Sequence, residues 1–359
     1  MKFKLTLPVW TIIAPVIAWL AFACKDLGQG GFFTLLLSAA LIASVLAAVH
    51  LAEVVAHRVG EPFGTLILAL AVTIIEVSLI VALMFAGGEE SLVLARDTVF
   101  AANMVILNGI IGLCLLAGGI KYHEQFVVKH SATSALVALT AILVLTLVLP
   151  NYTVSTPGPV YNSSQLVFVA ITCFIIYGAF ILVQSIRHRD YFLPVGDNNE
   201  DHHAEPPSNQ TTFFSLILLL ACLGAVVLLA KALSPVIEKG VEDMGAPKSL
   251  VGVIIAIVIL LPEGIAALQA ARRNRLQTSL NLALGSALAS TGLTIPAVAI
   301  FSLSTGSGVV LGIDMKSIVL LILSVFTVML SLVTGRTNIL YGIVLIVIFV
   351  TYLFITIVP

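Results

Sequence analysis

Two glutamates stand inside long apolar runs, Glu76 in VTIIEVSLIV and Glu263 in ILLPEGIAAL. An ionised carboxylate at the centre of a bilayer costs about +2.5 to +3.5 kcal/mol on insertion scales. Each acid is therefore expected to keep its proton while empty and to ionise only beside a cation. A carboxyl group that holds either a proton or a metal cation, never both, has the chemistry of proton–cation exchange. Two such groups neutralise one divalent cation or take up two protons, so trading one Ca²⁺ for two H⁺ there moves no net charge. Taken singly, each acid could instead be a protonated carboxyl hydrogen-bonded between helices. A matched pair weighs against that reading.

The flanks extend the candidate set. Pro262 and Gly264 bracket Glu263. They predict a broken helix, because proline removes a backbone donor and frees the carbonyl one turn earlier. Freed carbonyls are hard oxygen ligands suited to Ca²⁺ or Na⁺. Thr73 lies one turn before Glu76, with a hydroxyl suited either to ligation or to a bond back onto a helix carbonyl. Asn103 and Asn108 follow in the next apolar run, and Asn281, Gly285 and Ser286 follow Glu263. The asparagines either orient the acids and supply amide oxygens, or make the interhelical hydrogen bonds common in membranes. His50, Glu53 and His57 share one helix face by their spacing. They form either a cytoplasmic entry path for cations and protons or a solvated helix end. Glu89, Glu90 and Asp97 form an outer acidic group that either attracts cations or is only solvated.

These residues need elements that cross a membrane. Of 359 residues, 60% are hydrophobic and 10% charged, against about 25% charged in soluble domains. Lipid must be the solvent for most of the chain, and the net charge of −1 offers nothing to nucleic acid. The four cysteines lie in apolar runs without a C-x-x-C pair, as small buried hydrophobes do. A spanning helix takes about 20 apolar residues. Eleven segments qualify, near 8–24, 32–56, 64–86, 98–119, 132–150, 164–186, 212–233, 248–270, 278–303, 316–334 and 338–357. Glu76 then lies roughly 18 Å into a ~30 Å core, and Glu263 lies near mid-depth from the opposite face.

The predicted fold is an all-α integral membrane protein with an extra N-terminal helix (1–31), a first five-helix repeat (32–186), an acidic cytoplasmic linker (187–211) and a second five-helix repeat (212–359). Gly60-Glu61-Pro62 leads into the Glu76 span as Gly245-Ala246-Pro247 leads into the Glu263 span. Five helices per repeat inverts the second copy, the plan of many secondary transporters, whose site lies at the repeat interface near the midplane. With the N-terminus cytoplasmic, 11 of the 17 basic residues fall on that side. The positive-inside rule therefore predicts N-in and C-out in a plasma (inner) membrane. The linker, with Glu200, Asp201, His202 and His203, reads as a disordered connector or a cytosolic Ca²⁺ or pH sensor. A channel would need rings of polar residues along several spans; two focal acids stand here instead. No phosphate loop and no intramembrane protease motif lies in a span. No enzymatic role, no cofactor and no nucleic acid are expected, only inorganic cations, protons and the bilayer.

The segments GEPFGTLILALAVTIIEVSLIVALM (60–84) and LPEGIAALQAARRNRLQTSLNLALGSALASTGLTIP (261–296), with RDT (96–98) and SLVTGRTN (331–338), resemble the calcium/cation antiporter superfamily. The likeness is to its proton-coupled branch, the bacterial Ca²⁺/H⁺ antiporter group of the ChaA type, and covers essentially the whole chain. It implies Glu76 and Glu263 as a shared cation and proton site in kinked helices. Gly285-Ser286 matches the second repeat's small polar motif, and Asn108 matches the first repeat's asparagine. Where the wider family often reads G-N-A-x-E, this chain has Val72-Thr73-Ile74-Ile75-Glu76 and Ile259-Leu260-Leu261-Pro262-Glu263. The resemblance implies export of Ca²⁺, with Na⁺ or K⁺ as further cations, in exchange for H⁺. The alternative is Na⁺(K⁺)/H⁺ exchange with little Ca²⁺ transport.

Overall fold

The computed structural model describes residues 7–24, 31–60, 63–86, 92–192, 207–243, 247, 249–306 and 308–358. The linker acids and His202-His203, Glu89 and Glu90, Glu61-Pro62 and Gly245-Ala246 lie outside the described residues. The chain is an all-α, multi-pass membrane protein. Among the described residues, nine helices are long and apolar enough to cross a membrane, and shorter apolar helices at Val9–Ala23 and Ile67–Val81 fall in the first and third expected spans.

The chain divides into two compact units, Met1–Ser91 with Asn199–Met244, and Leu92–Asn198 with Gly245–Pro359. The first unit holds α1 (Val9–Ala23), α2 (Gly31–Val59), α3 (Phe63–Ala86) and α8 (Asn209–Asp243). Within it α2 packs along α8, α1 and α3. Trp19 Nε1 donates to Ala221 O at 3.1 Å. Gly224 makes room for that indole, since an added Cβ would lie 3.3 Å from Trp19 Cζ2.

The second unit begins with one long span built as α4 (Leu94–Met104), a π turn (Val105–Ile110) and α5 (Ile111–Tyr122). It continues with α6 (Lys129–Leu143), α7 (Ser163–Leu182), α9 (Ser249–Arg272), α10 (Leu276–Thr305), α11 (Met315–Val333) and α12 (Ile339–Ile357). Two short strands, β1 (Gln125–Phe126) and β2 (Arg336–Thr337), pair antiparallel. Some helix starts carry side-chain caps. Asn162 and Gln165 form a reciprocal capping box before α7, Asp314 caps α11 through Ser317 N, and Asn338 caps α12 through Leu340 N and Tyr341 N. Large apolar side chains such as Phe168, Phe174, Phe326 and Phe354 stay exposed, as lipid-facing residues do.

Without a hydrophobic drive between helices in lipid, close packing depends on small residues. A Cβ on Gly342 of α12 would collide with the Leu116 backbone of α5, and one on Gly119 of α5 would lie 2.8 Å from the Ile339 backbone. Gly252 brings α9 onto α4 in the same way, at 3.1 Å from Asp97 C and Thr98 N.

One expectation is corrected. The helix expected to break at Pro262-Glu263-Gly264 stays helical from Ser249 to Arg272 with Pro262 inside it. Proline removes one backbone bond, but its φ suits a helix. The remaining turns of α9 are held against α4 and α10. Among the described residues, irregular backbone lies instead at three π turns, Val105–Ile110 with Asn108 inside the α4–α5 span, and Val144–Val148 and Val183–Arg187 at the ends of α6 and α7. The i→i+5 bonding of such a turn inserts a residue, a distortion common at functional sites.

Candidate functional site

Each unit carries one of the two acids. In the first unit, Glu76 lies on α3 and is 2% exposed. Thr73, 5% exposed, donates its hydroxyl proton to Ala69 O at 2.8 Å. That is the back-bonding alternative for the proton, and it leaves the oxygen lone pairs fixed in direction. On α2, His50 Nδ1 lies 3.7 Å from Glu53 Oε2 and its ring meets Trp10 at a centroid distance of 5.6 Å. Glu53 and His57 are exposed, so this face is open at its end.

In the second unit, Glu263 is half-buried on α9, with Pro262 before it and Gly264 after. An added Cβ on Gly264 would lie 3.3 Å from Ile110 Cδ1. The helix turn carrying Glu263 therefore lies against the π turn carrying Asn108. Asn103 and Asn108 are both fully buried. Asn103 Nδ2 donates to Val99 O and to Thr291 Oγ1 of α10, each at 2.8 Å. Asn108 Nδ2 donates to Ser324 Oγ of α11 at 2.8 Å and, more weakly, to Met104 O at 3.4 Å. The amide nitrogens thus make the interhelical bonds. Among the described residues no donor reaches either Oδ1, so both remain available as hard oxygen ligands. On α10, Ser286 is half-buried and a Cβ on Gly285 would meet nothing within 4 Å. Among the described residues, Gly285 thus borders open space rather than packed side chains.

Sequence reasoning missed Ser324 and Thr291, which are ordinary polar residues of apolar helices and become visible only as partners of the asparagines. It also missed a cavity of about 240 Å³ in the second unit, whose lining includes Arg96, Asp97, Asp314, Lys316 and Tyr352. Asp97 is not a free acid there. Arg96 Nε donates to Asp97 Oδ1 at 2.8 Å and Arg96 Nη1 to Gly312 O at 2.9 Å.

The last turn of α9 is fastened by side chains. Its unpaired carbonyls accept from Lys121 Nζ and Tyr122 Oη at Arg272 O, both 2.9 Å, and from Gln125 Nε2 at Ala271 O, 3.0 Å. Nearby, the 3% exposed Gln277 accepts from Val128 N at 2.8 Å. It also donates to Ser131 Oγ at 2.6 Å and to Asn281 Oδ1 at 2.8 Å. Gln277→Leu leaves these groups unmatched and should destabilise the protein by about 1–3 kcal/mol. Thermal unfolding of the purified protein in detergent checks this; an unchanged midpoint would show the hub to be dispensable.

A family model described as sodium/calcium exchanger protein matches residues 30–186 and 214–358. A Sinorhizobium fredii protein described as an ionic transporter, y4hA, is 44% identical over 357 residues, covering 98% of this chain and 97% of that protein. The sodium-potassium/proton antiporter ChaA of Escherichia coli is 32% identical over 355 residues, covering 98% of this chain and 96% of its own. Among solved structures, the H⁺/Ca²⁺ exchanger CAX shares the fold at a TM-score of 0.72 and 15% identity, over 96% of this chain and 87% of its own.

Proposed function

Because the chain belongs to the sodium/calcium exchanger protein family, we propose that it is a secondary antiporter exporting Ca²⁺, and also Na⁺ or K⁺, from the cytoplasm in exchange for H⁺. The observation that carries this reading is a pair of carboxyl groups within apolar spans, Glu76 on α3 and Glu263 on α9. Each holds a proton or faces a cation, so loading one ion requires release of the other. Thr73, Asn103, Asn108, the carbonyl freed by Pro262, and Gly285-Ser286 supply or orient neutral oxygens. His50, Glu53 and His57 form the cytoplasmic approach. Spans 2–6 and 7–11 are inverted repeats, and the N-terminus faces the cytoplasm of a plasma membrane. The excess of basic residues on that side supports the orientation.

A second reading is Na⁺(K⁺)/H⁺ exchange with little Ca²⁺ transport. Two observations favour it: Thr73 and Leu260 stand where the wider family often has asparagine, and the Escherichia coli relative is named for Na⁺ and K⁺. Cation-induced proton release in everted vesicles, with Ca²⁺, Na⁺ and K⁺ supplied separately, decides between the two. A signal with Ca²⁺ supports the first reading, and a signal with only the monovalent ions the second. No signal with any of the three would overturn both. Two carboxyls per Ca²⁺ further predict electroneutral exchange. In proteoliposomes, Ca²⁺ flux should change little when a membrane potential is imposed; strong voltage dependence would contradict the two-proton stoichiometry.

A further inference from the structure

Ser324 lies on α11, outside both acid-bearing helices, and is fully buried. Its hydroxyl has one proton, which Leu320 O accepts at 2.7 Å, with Met104 Sδ a more distant acceptor at 3.5 Å. The Ser324 oxygen is thereby left as an acceptor, and Asn108 Nδ2 donates to it at 2.8 Å. Met104 O and Met104 Sδ lie on the same side of that amide, at 3.4 and 3.8 Å from Nδ2. Rotating the amide by half a turn would set its oxygen against Met104 O and Met104 Sδ and would require the Ser324 proton to leave Leu320 O, so the observed orientation is favoured. The Asn108 oxygen is then turned away from α11, in a fully buried position where no donor among the described residues reaches it. A buried amide oxygen left unmatched is costly, and a desolvated cation is a partner that would match it. Asn103 repeats the device, with its nitrogen held by Val99 O and Thr291 Oγ1 and its oxygen left without a donor. The π turn that carries Asn108 abuts the α9 turn that carries Glu263 through Ile110 and Gly264.

We propose that Ser324 is a positioning residue for cation transport: by holding the Asn108 amide nitrogen, it presents the Asn108 carbonyl oxygen to the cation. This rests on the antiporter reading above. The hydroxyl makes no contact with the ion and changes no protonation state. Its loss lets the amide rotate and offer N–H in place of oxygen, which a cation disfavours.

The test is cation-dependent proton flux of the full chain in proteoliposomes, using whichever of Ca²⁺, Na⁺ and K⁺ the wild type moves. Ser324→Ala should raise the apparent KM for the cation about tenfold, leave the maximal rate within about twofold, and leave the pH profile unmoved, because neither partner titrates. In an Asn108→Ala background, Ser324→Ala should add less than about twofold, since residues acting through one contact are not additive. Where Asn108→Ala abolishes flux, the same comparison is read from cation-dependent thermal stabilisation of the purified proteins. If Ser324→Ala does not reach the membrane, Ser324→Cys, with a weaker acceptor of similar size, should show a smaller rise in KM. An unchanged KM in an active Ser324 variant, or effects that multiply in the double variant, would overturn the proposal while leaving antiport intact. Absence of coupled flux in the wild type with all three cations would overturn the antiport reading and this proposal together.

Discussion

Glu76→Gln and Glu263→Gln should each abolish cation-dependent proton release, with residual flux at least about a hundredfold below wild type, equivalent to about 2.7 kcal/mol. Glutamine keeps the size of the side chain and its capacity to hydrogen-bond, so the bundle should still assemble. It removes the negative charge that compensates a cation stripped of water, a loss that low-dielectric surroundings magnify. It also removes the group that takes up the returning proton, so loading and unloading are no longer coupled. The measurement is flux in vesicles carrying equal amounts of each protein, with Ca²⁺, Na⁺ and K⁺ tested in turn. In wild type, low pH should raise the apparent KM for the cation, since protons compete for the same carboxyls. A fully active variant at either position would remove that glutamate from the mechanism.

Gly342→Val should prevent assembly of the second unit. An added Cβ at Gly342 meets the Leu116 backbone and lies 2.9 Å from Gly112 O. Backbone cannot move aside as a flexible side-chain end can, so relief requires α12 to separate from α5 along its length. Overpacking in a well-packed interior typically costs about 1–3 kcal/mol, and a β-branched residue against fixed backbone should reach the upper end or exceed it. The expected result is a fall of about tenfold or more in monodisperse protein recovered in detergent. Gly178→Ala provides the control. A Cβ there meets nothing within 4 Å, and alanine is the better helix former by about 1 kcal/mol, so recovery should be equal or slightly improved. Normal recovery of Gly342→Val would show that the α5–α12 contact is not required.

Apolar run length made the span pattern readable before any coordinates. Eleven helical spans were expected, and the described helices fall on them, with α4, its π turn and α5 sharing one span. The same reading placed the helix distortion at the wrong residue. Proline is a local signal, but whether a helix breaks depends on the neighbours that hold its turns, and α9 is held on both sides. The π turn at Val105–Ile110 does carry a local signal, the Asn108-Gly109 pair, which favours irregular backbone but which apolar run length alone does not register.

For the candidate site, the sequence by itself determined the two carboxyls. A glutamate in an apolar span is conspicuous because lipid penalises its charge wherever the helix packs. It also determined that asparagines and small polar residues follow each acid in the next span. Only the tertiary structure decided which way the asparagine amides face, since that depends on Thr291 and Ser324, which are 188 and 216 residues away along the chain. Likewise, Arg96 is the sequence neighbour of Asp97, but only the fold ties that arginine to Gly312 O, 216 residues away, and makes the pair part of a charged cavity wall. The physical reason is the range of the interactions. The penalty for burying a charge belongs to one residue and its span. The direction of a hydrogen bond belongs to two residues that only the packed helices bring together.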